Sequence, residues 1–89
     1  MSTHTSHPDI IKRLKRADGH LKSIISMLEE GRSCLDIAQQ LQAVESAVTN
    51  AKKILVHDHI EHCLEHVVLE GQQSADETLR EFKEITKYL

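Results

Sequence analysis

Residues 32–70 read RSCLDIAQQLQAVESAVTNAKKILVHDHIEHCLEHVVLE, with Gly31 before them, Gly71 after them and no glycine or proline between. A run of this length, rich in Ala, Leu, Gln and Glu, favours a helix at almost every position. Cys34, Ile37, Leu41, Val44, Val48, Ala51 and Leu55 recur in alternating three- and four-residue steps. That is a heptad-like seam. The pattern predicts one helix from near Ser33 to just before Gly71, about 35 residues long and well beyond the usual globular length. A long helix with a single apolar seam needs a long partner. Antiparallel pairing with a second copy supplies one, giving a four-helix bundle from the first two helices of two chains.

The far end of the same stretch carries its chemistry. His59 and Cys63 are four residues apart, so on a helix they stack on one face as two good metal ligands. Cys34, the chain's other cysteine, lies 25 residues before His59. Along one helix that is roughly 37 Å, at about 1.5 Å per residue. One chain cannot close a site from all three. Two antiparallel chains can, with Cys34 of one beside His59 and Cys63 of the other. An imidazole and two thiolates suit three-coordinate Cu(I), and one more nitrogen brings in Ni(II), Co(II) or Zn(II). His4 and His7 are the candidate extra donors. His66, three residues after Cys63, is a further candidate ligand. His57, His62 and His20 read more simply as solvated or packing residues.

A first helix starts near Pro8, which suits a first turn, with Asp9 beside it to complement the dipole. Ile10, Ile11, Leu14, Ala17, Leu21, Ile24, Ile25 and Leu28 form its apolar stripe, and Gly31 is its stop. Gly19, inside this helix, is either a tolerated glycine or a point where another backbone or DNA comes close. A short third helix, capped by Ser74 or Asp76, carries Leu79, Phe82, Ile85 and Leu89 on one face. The chain is therefore all-α: a three-helix protomer with two long helices and a short third. Its organisation is a flexible histidine-containing arm over residues 1–7 and a single helical domain over 8–89.

Two aromatic residues, Phe82 and Tyr88, in 89 residues leave a thin monomeric core, so self-association is the expected source of further burial. No stretch of 18 apolar residues is present, and the polar start lacks the form of a signal peptide, so the expected location is cytoplasmic, away from membranes. In that compartment two cysteines read as thiols or ligands rather than a disulfide. The net charge of −3 is unevenly spread. Residues 1–56 sum to +2 and residues 57–89 to −5. Lys12, Arg13, Lys15, Arg16 and Lys22 cluster with Asp18 alone opposing them, which suggests a polyanion-facing surface. Lys52 and Lys53 extend it. No helix-turn-helix separates out, so DNA contact would come from a basic face rather than a recognition helix.

These segments together resemble the copper-, nickel/cobalt- and formaldehyde-sensing repressors of the CsoR/RcnR/FrmR type. The resemblance covers nearly the whole chain. It rests on Arg13-Leu14-Lys15-Arg16-Ala17-Asp18-Gly19-His20-Leu21, on Ser33-Cys34-Leu35-Asp36-Ile37-Ala38-Gln39-Gln40 and on His57 to Cys63. It implies an antiparallel dimer assembled into a dimer-of-dimers homotetramer that binds operator double-stranded DNA and lets go on ligand binding. It implies Cys34 as ligand from one protomer and His59 and Cys63 from its neighbour. The nickel/cobalt branch adds a histidine near the N-terminus, which His4 matches, with His7 as runner-up. Ser33 stands where copper sensors often carry Tyr. The histidine-rich start and the ending Phe82-Lys83-Glu84-Ile85-Thr86-Lys87-Tyr88-Leu89 look most like regulators of nickel and cobalt resistance. The expected function is a Ni(II)/Co(II)-responsive repressor of metal efflux and resistance genes, with Cu(I) second. A thiol sensor of sulfide or aldehyde using Cys34 and Cys63 is another reading, and a cytosolic metal store or chaperone is a rival of a different class. No nucleophile–base pairing or phosphate-binding loop suggests an enzyme.

Overall fold

The computed structural model describes residues 5–70 and 75–89, with side chains except at 66–70 and 75. Among these residues the chain is wholly helical, with no strand. Helix α1 spans His7–Glu29, α2 spans Cys34–Glu70 and α3 spans Ala75–Ile85, followed by a 3₁₀ turn over Thr86–Tyr88. Pro8 sits in the first turn of α1, where its missing N–H costs no intrahelical bond. The Ser74 cap expected for α3 lies outside the described residues.

The sequence fits each boundary. At the end of α1, Arg32 N–H donates to the Met27 carbonyl at 3.0 Å and Gly31 N–H to the Leu28 carbonyl at 3.1 Å. Gly31 itself is left-handed, with φ +73°. This pair of bonds around a left-handed residue is the Schellman stop, which glycine adopts without Cβ strain. Two residues later Ser33 starts α2. Its hydroxyl accepts from the Asp36 N–H at 3.2 Å and its carbonyl from the Ile37 N–H at 3.1 Å, the pattern of a serine N-cap. The run without glycine or proline then carries α2 through 37 residues.

Contacts divide the described residues into two compact units, one over 8–52 and one over 53–70 and 75–89 together with 5–7. In the first, Ile10, Ala17 and Ile24 of α1 are buried at seven-residue intervals, as are Ile37, Val44 and Ala51 of α2. Ile24, Ile37 and Val44 form one cluster, with Met27 packed against it. Each such buried side chain contributes about 1.5–3 kcal/mol relative to exposure. In the second unit Val56 and Cys63 of α2 are buried, and so is Thr78 of α3.

The apolar stripes are wider than these cores. Ile11, Leu14, Leu21, Ile25 and Leu28 of α1 are exposed, as are Leu41, Val48 and Leu55 of α2. The seam expected on α2 thus divides in two. Its Ile37–Val44–Ala51 positions face inward, and its Cys34–Leu41–Val48–Leu55 positions are exposed. On α3 the inner residues are Thr78, with Phe82 and Ile85 half-buried. Leu79 and Leu89, expected on that face, are exposed.

Candidate metal centre

Two elements of the second unit build the site. Helix α2 presents His59 and Cys63 one turn apart, and α3 brings Glu81 to them. One ring nitrogen of His59, the Cys63 sulfur and one Glu81 carboxylate oxygen all lie within 4.8 Å of one another. His59 Nε2 is 3.8 Å from Glu81 Oε2. Cys63 is buried, His59 half-buried and Glu81 exposed, so the group opens to solvent on its carboxylate side. A borderline imidazole, a soft sulfur and a hard oxygen within this radius fit a transition-metal ion better than Ca²⁺ or Mg²⁺.

Burial pushes the Cys63 thiol above its ordinary pKa, and the neighbouring Glu81 charge pushes it the same way. Both effects disfavour the thiolate. A cation held here would displace a proton from the sulfur, its own charge offsetting the cost of a buried thiolate beside Glu81.

Glu81 is the residue that sequence reading missed. It follows Thr78 by three positions and precedes Ile85 by four, so it flanks the inner stripe of α3. An acidic residue beside an apolar stripe was the available signal.

The other candidates fall elsewhere. Cys34 is a free, exposed cysteine at the first position of α2, 25 positions before His59 on the same helix. It is outside the three-residue group. His7 is exposed and begins α1, His57 is exposed, and His62 is half-buried. His4 and the His66 side chain lie outside the described residues. Close by, the Ser6 hydroxyl donates to Asp58 Oδ2 at 2.7 Å. This ties the residue next to His7 to the position next to His59.

Lys12, Arg13, Lys15, Arg16 and Lys22 of α1 are all exposed, and so are Lys52 and Lys53 of α2. Arg13 Nε donates to Asp9 Oδ2 at 2.9 Å and Lys22 pairs with Asp18 at 3.3 Å. Lys12, Lys15 and Arg16 make no ion pair among the described residues, which leaves their charge available to an outside polyanion. No helix among the described residues is long and apolar enough to cross a membrane.

Comparison with known proteins places these features. The copper-sensing transcriptional repressor CsoR of Bacillus subtilis is 39% identical over 80 residues, covering 88% of this chain and 79% of that protein. The CsoR of Mycobacterium ulcerans is 43% identical over 65 residues, covering 73% of this chain but 56% of that protein. The copper-sensing repressor RicR of Mycobacterium tuberculosis is 39% identical over 70 residues, 79% of this chain and 73% of the relative. Among solved structures, the nickel-responsive transcriptional regulator InrS superposes with a TM-score of 0.83 at 27% identity, over 100% of this chain and 99% of its own. The family model for metal-sensitive transcriptional repressors matches residues 6–88. The chain belongs to that family, the metal-sensitive transcriptional repressors.

Proposed function

We propose that this protein represses transcription by binding operator DNA in its metal-free form, and that Ni(II) or Co(II) releases it. The genes under its control would be those of metal efflux and resistance. The observation that carries this reading is the convergence of His59 and Cys63, with Glu81 against them, on a helix whose exposed first residue is Cys34. Cys34 and His59 are roughly 37 Å apart by helical rise. Cys34 therefore joins the group from a second, antiparallel copy. The exposed seam Cys34–Leu41–Val48–Leu55 supports such pairing, because it offers a heptad of apolar surface with Cys34 as its first member. Pairing Cys34 with the His59–Cys63 turn puts the two-fold axis near Ala47 and Val48, in the middle of that seam.

The dimer pairs again into a tetramer, and the DNA-facing surface is the basic side of α1, with Lys52 and Lys53 of α2 extending it. Four copies of a modest basic face give strongly salt-dependent binding. Metal in the shared site favours the arrangement that holds DNA weakly. A hundredfold loss of occupancy needs about 2.7 kcal/mol of such bias, an ordinary allosteric coupling.

Cys34, His59 and Cys63 would hold the metal, with a nitrogen from His4 or His7 as fourth donor, and His66 as the remaining candidate. The hydrogen bond from Ser6 to Asp58 supports an arm that starts close to His59. The full-length likeness to a nickel-responsive regulator favours Ni(II) or Co(II), in keeping with a nitrogen-richer set. Cu(I) is the second reading, favoured by the copper-sensing relatives and by the three-donor set alone.

Fluorescence anisotropy of a promoter duplex, titrated with protein in the presence of Ni(II), Co(II) or Cu(I), tests the proposal. Release by Ni(II) or Co(II) is expected. X-ray absorption on the loaded protein reports the sulfur and nitrogen donors. A duplex that stays bound with every metal at every stoichiometry refutes the switch.

A further inference from the structure

Gly19 lies near the middle of α1, a place where glycine weakens a helix relative to alanine. Nothing in the fold asks for it. A Cβ built there meets no heavy atom within 4 Å, counted beyond the helix's own backbone and the chain neighbours. Its φ is not positive, since Gly31 alone among the described residues has a positive φ. Among the described residues neither packing nor backbone geometry, the two intramolecular reasons for a glycine, calls for it.

Its surroundings supply an intermolecular reason. Lys15 and Arg16 precede Gly19 by four and three residues, Lys22 follows by three, and Lys12 lies two turns back. At these spacings the four cations ring it on the helix surface. Three of them, Lys12, Lys15 and Arg16, have no ion-pair partner among the described residues. Beside this ring, in the same compact unit, is an open groove lined by Arg13, Arg16, Ala17, His20 and Ala47. Two alanines form its small apolar walls. Its imidazole is held in place by the hydrogen bond between His20 Nε2 and Gln40 Oε1. The two guanidinium groups at this groove are the donors that a phosphate oxygen takes, Arg16 without an ion-pair partner among the described residues and Arg13 through the N–H groups not bonded to Asp9.

We propose that Gly19 is the notch across which the sugar–phosphate backbone of duplex DNA passes over α1, one phosphate seating in the groove of Arg13, Arg16 and His20. The inference rests on the DNA-binding reading above and gives it a contact point. A side chain at position 19 would hold the backbone away from the four cations. A second copy of the chain is the poorer occupant, because self-contact at this face would bring like charges together.

The test is Gly19→Ala, which adds one methyl group and strengthens the helix. Three readouts are taken on the metal-free protein: thermal melting by circular dichroism, oligomeric state by sedimentation, and anisotropy of a short mixed-sequence duplex at low salt. A mixed sequence suffices because phosphate contacts are sequence-independent. The expected result is an equal or higher melting temperature, an unchanged oligomer and about tenfold weaker DNA binding, the size of one lost charge-assisted contact. Equal affinity in variant and parent overturns the inference and makes Gly19 a tolerated glycine. Weaker binding accompanied by a changed oligomer also overturns it, in favour of a subunit contact. A parent protein that binds no duplex at all sinks the DNA-binding reading itself, which the parent titration alone reveals.

Discussion

The two parts of α2 do different work with the same backbone. Over residues 34–52 the helix is an apolar scaffold. Ile37 and Val44 face inward onto Ile24, Leu41 and Val48 face outward, and the paired helix α1 carries the basic residues. Over residues 53–65 the buried positions described are Val56 and Cys63, and residues 53–70 carry four histidines and a thiol, with the acidic α3 beside His59 and Cys63. One region suits a polyanion and the other a cation.

The separation can be tested by disabling one region and reading the other. The largest effect is expected from replacing Lys12, Arg13 and Lys15 together by Ala. DNA affinity should fall by about a thousandfold at moderate salt, with a shallower salt dependence, while metal affinity by chelator competition stays level. Loss of both would mean the regions are not independent. Next comes Cys63→Ser or His59→Ala. Metal affinity should drop more than about a hundredfold, beyond what losing a supporting residue costs, and metal-free DNA binding should persist in anisotropy.

Glu81→Gln sharpens the comparison at smaller scale. Metal affinity should weaken by about tenfold, and the Cys63 thiol should titrate lower, because the charge that raises it is gone. Ultraviolet thiolate absorbance against pH reads this directly, and an unchanged titration would remove Glu81 from the site. The smallest effect is that of pH on the parent protein. Burial and Glu81 hold the thiol protonated above its ordinary range, so binding a metal releases a proton. Affinity should therefore rise with pH, by up to about tenfold per unit while the thiol is protonated in the free protein. Isothermal titration in buffers of different ionisation enthalpy counts that proton, and pH-independent affinity would place the thiol outside the ligand set.

Much of this was legible in the chain because the signals are local. Gly31, Ser33 and the uninterrupted run to Glu70 mark helix ends through backbone geometry that neighbouring residues set by themselves. The His59–Cys63 spacing is legible for the same reason, since a helix fixes which side chains share a face. The division of the α2 seam was not legible. Leu41 and Val44 are equally apolar, and which of them turns inward depends on where α1 lies.

Sequence by itself determined the helices, the stop at Gly31 and the start at Ser33, the asymmetry of charge and the two candidate metal ligands one turn apart, because each depends on residues within a few positions of one another. Tertiary structure alone brought Glu81 to His59 and Cys63, buried that thiol while leaving Cys34 exposed, and left the space a Cβ would take at Gly19 open. Those outcomes depend on how separate helices pack, and no spacing along the chain encodes the distance between side chains on different helices.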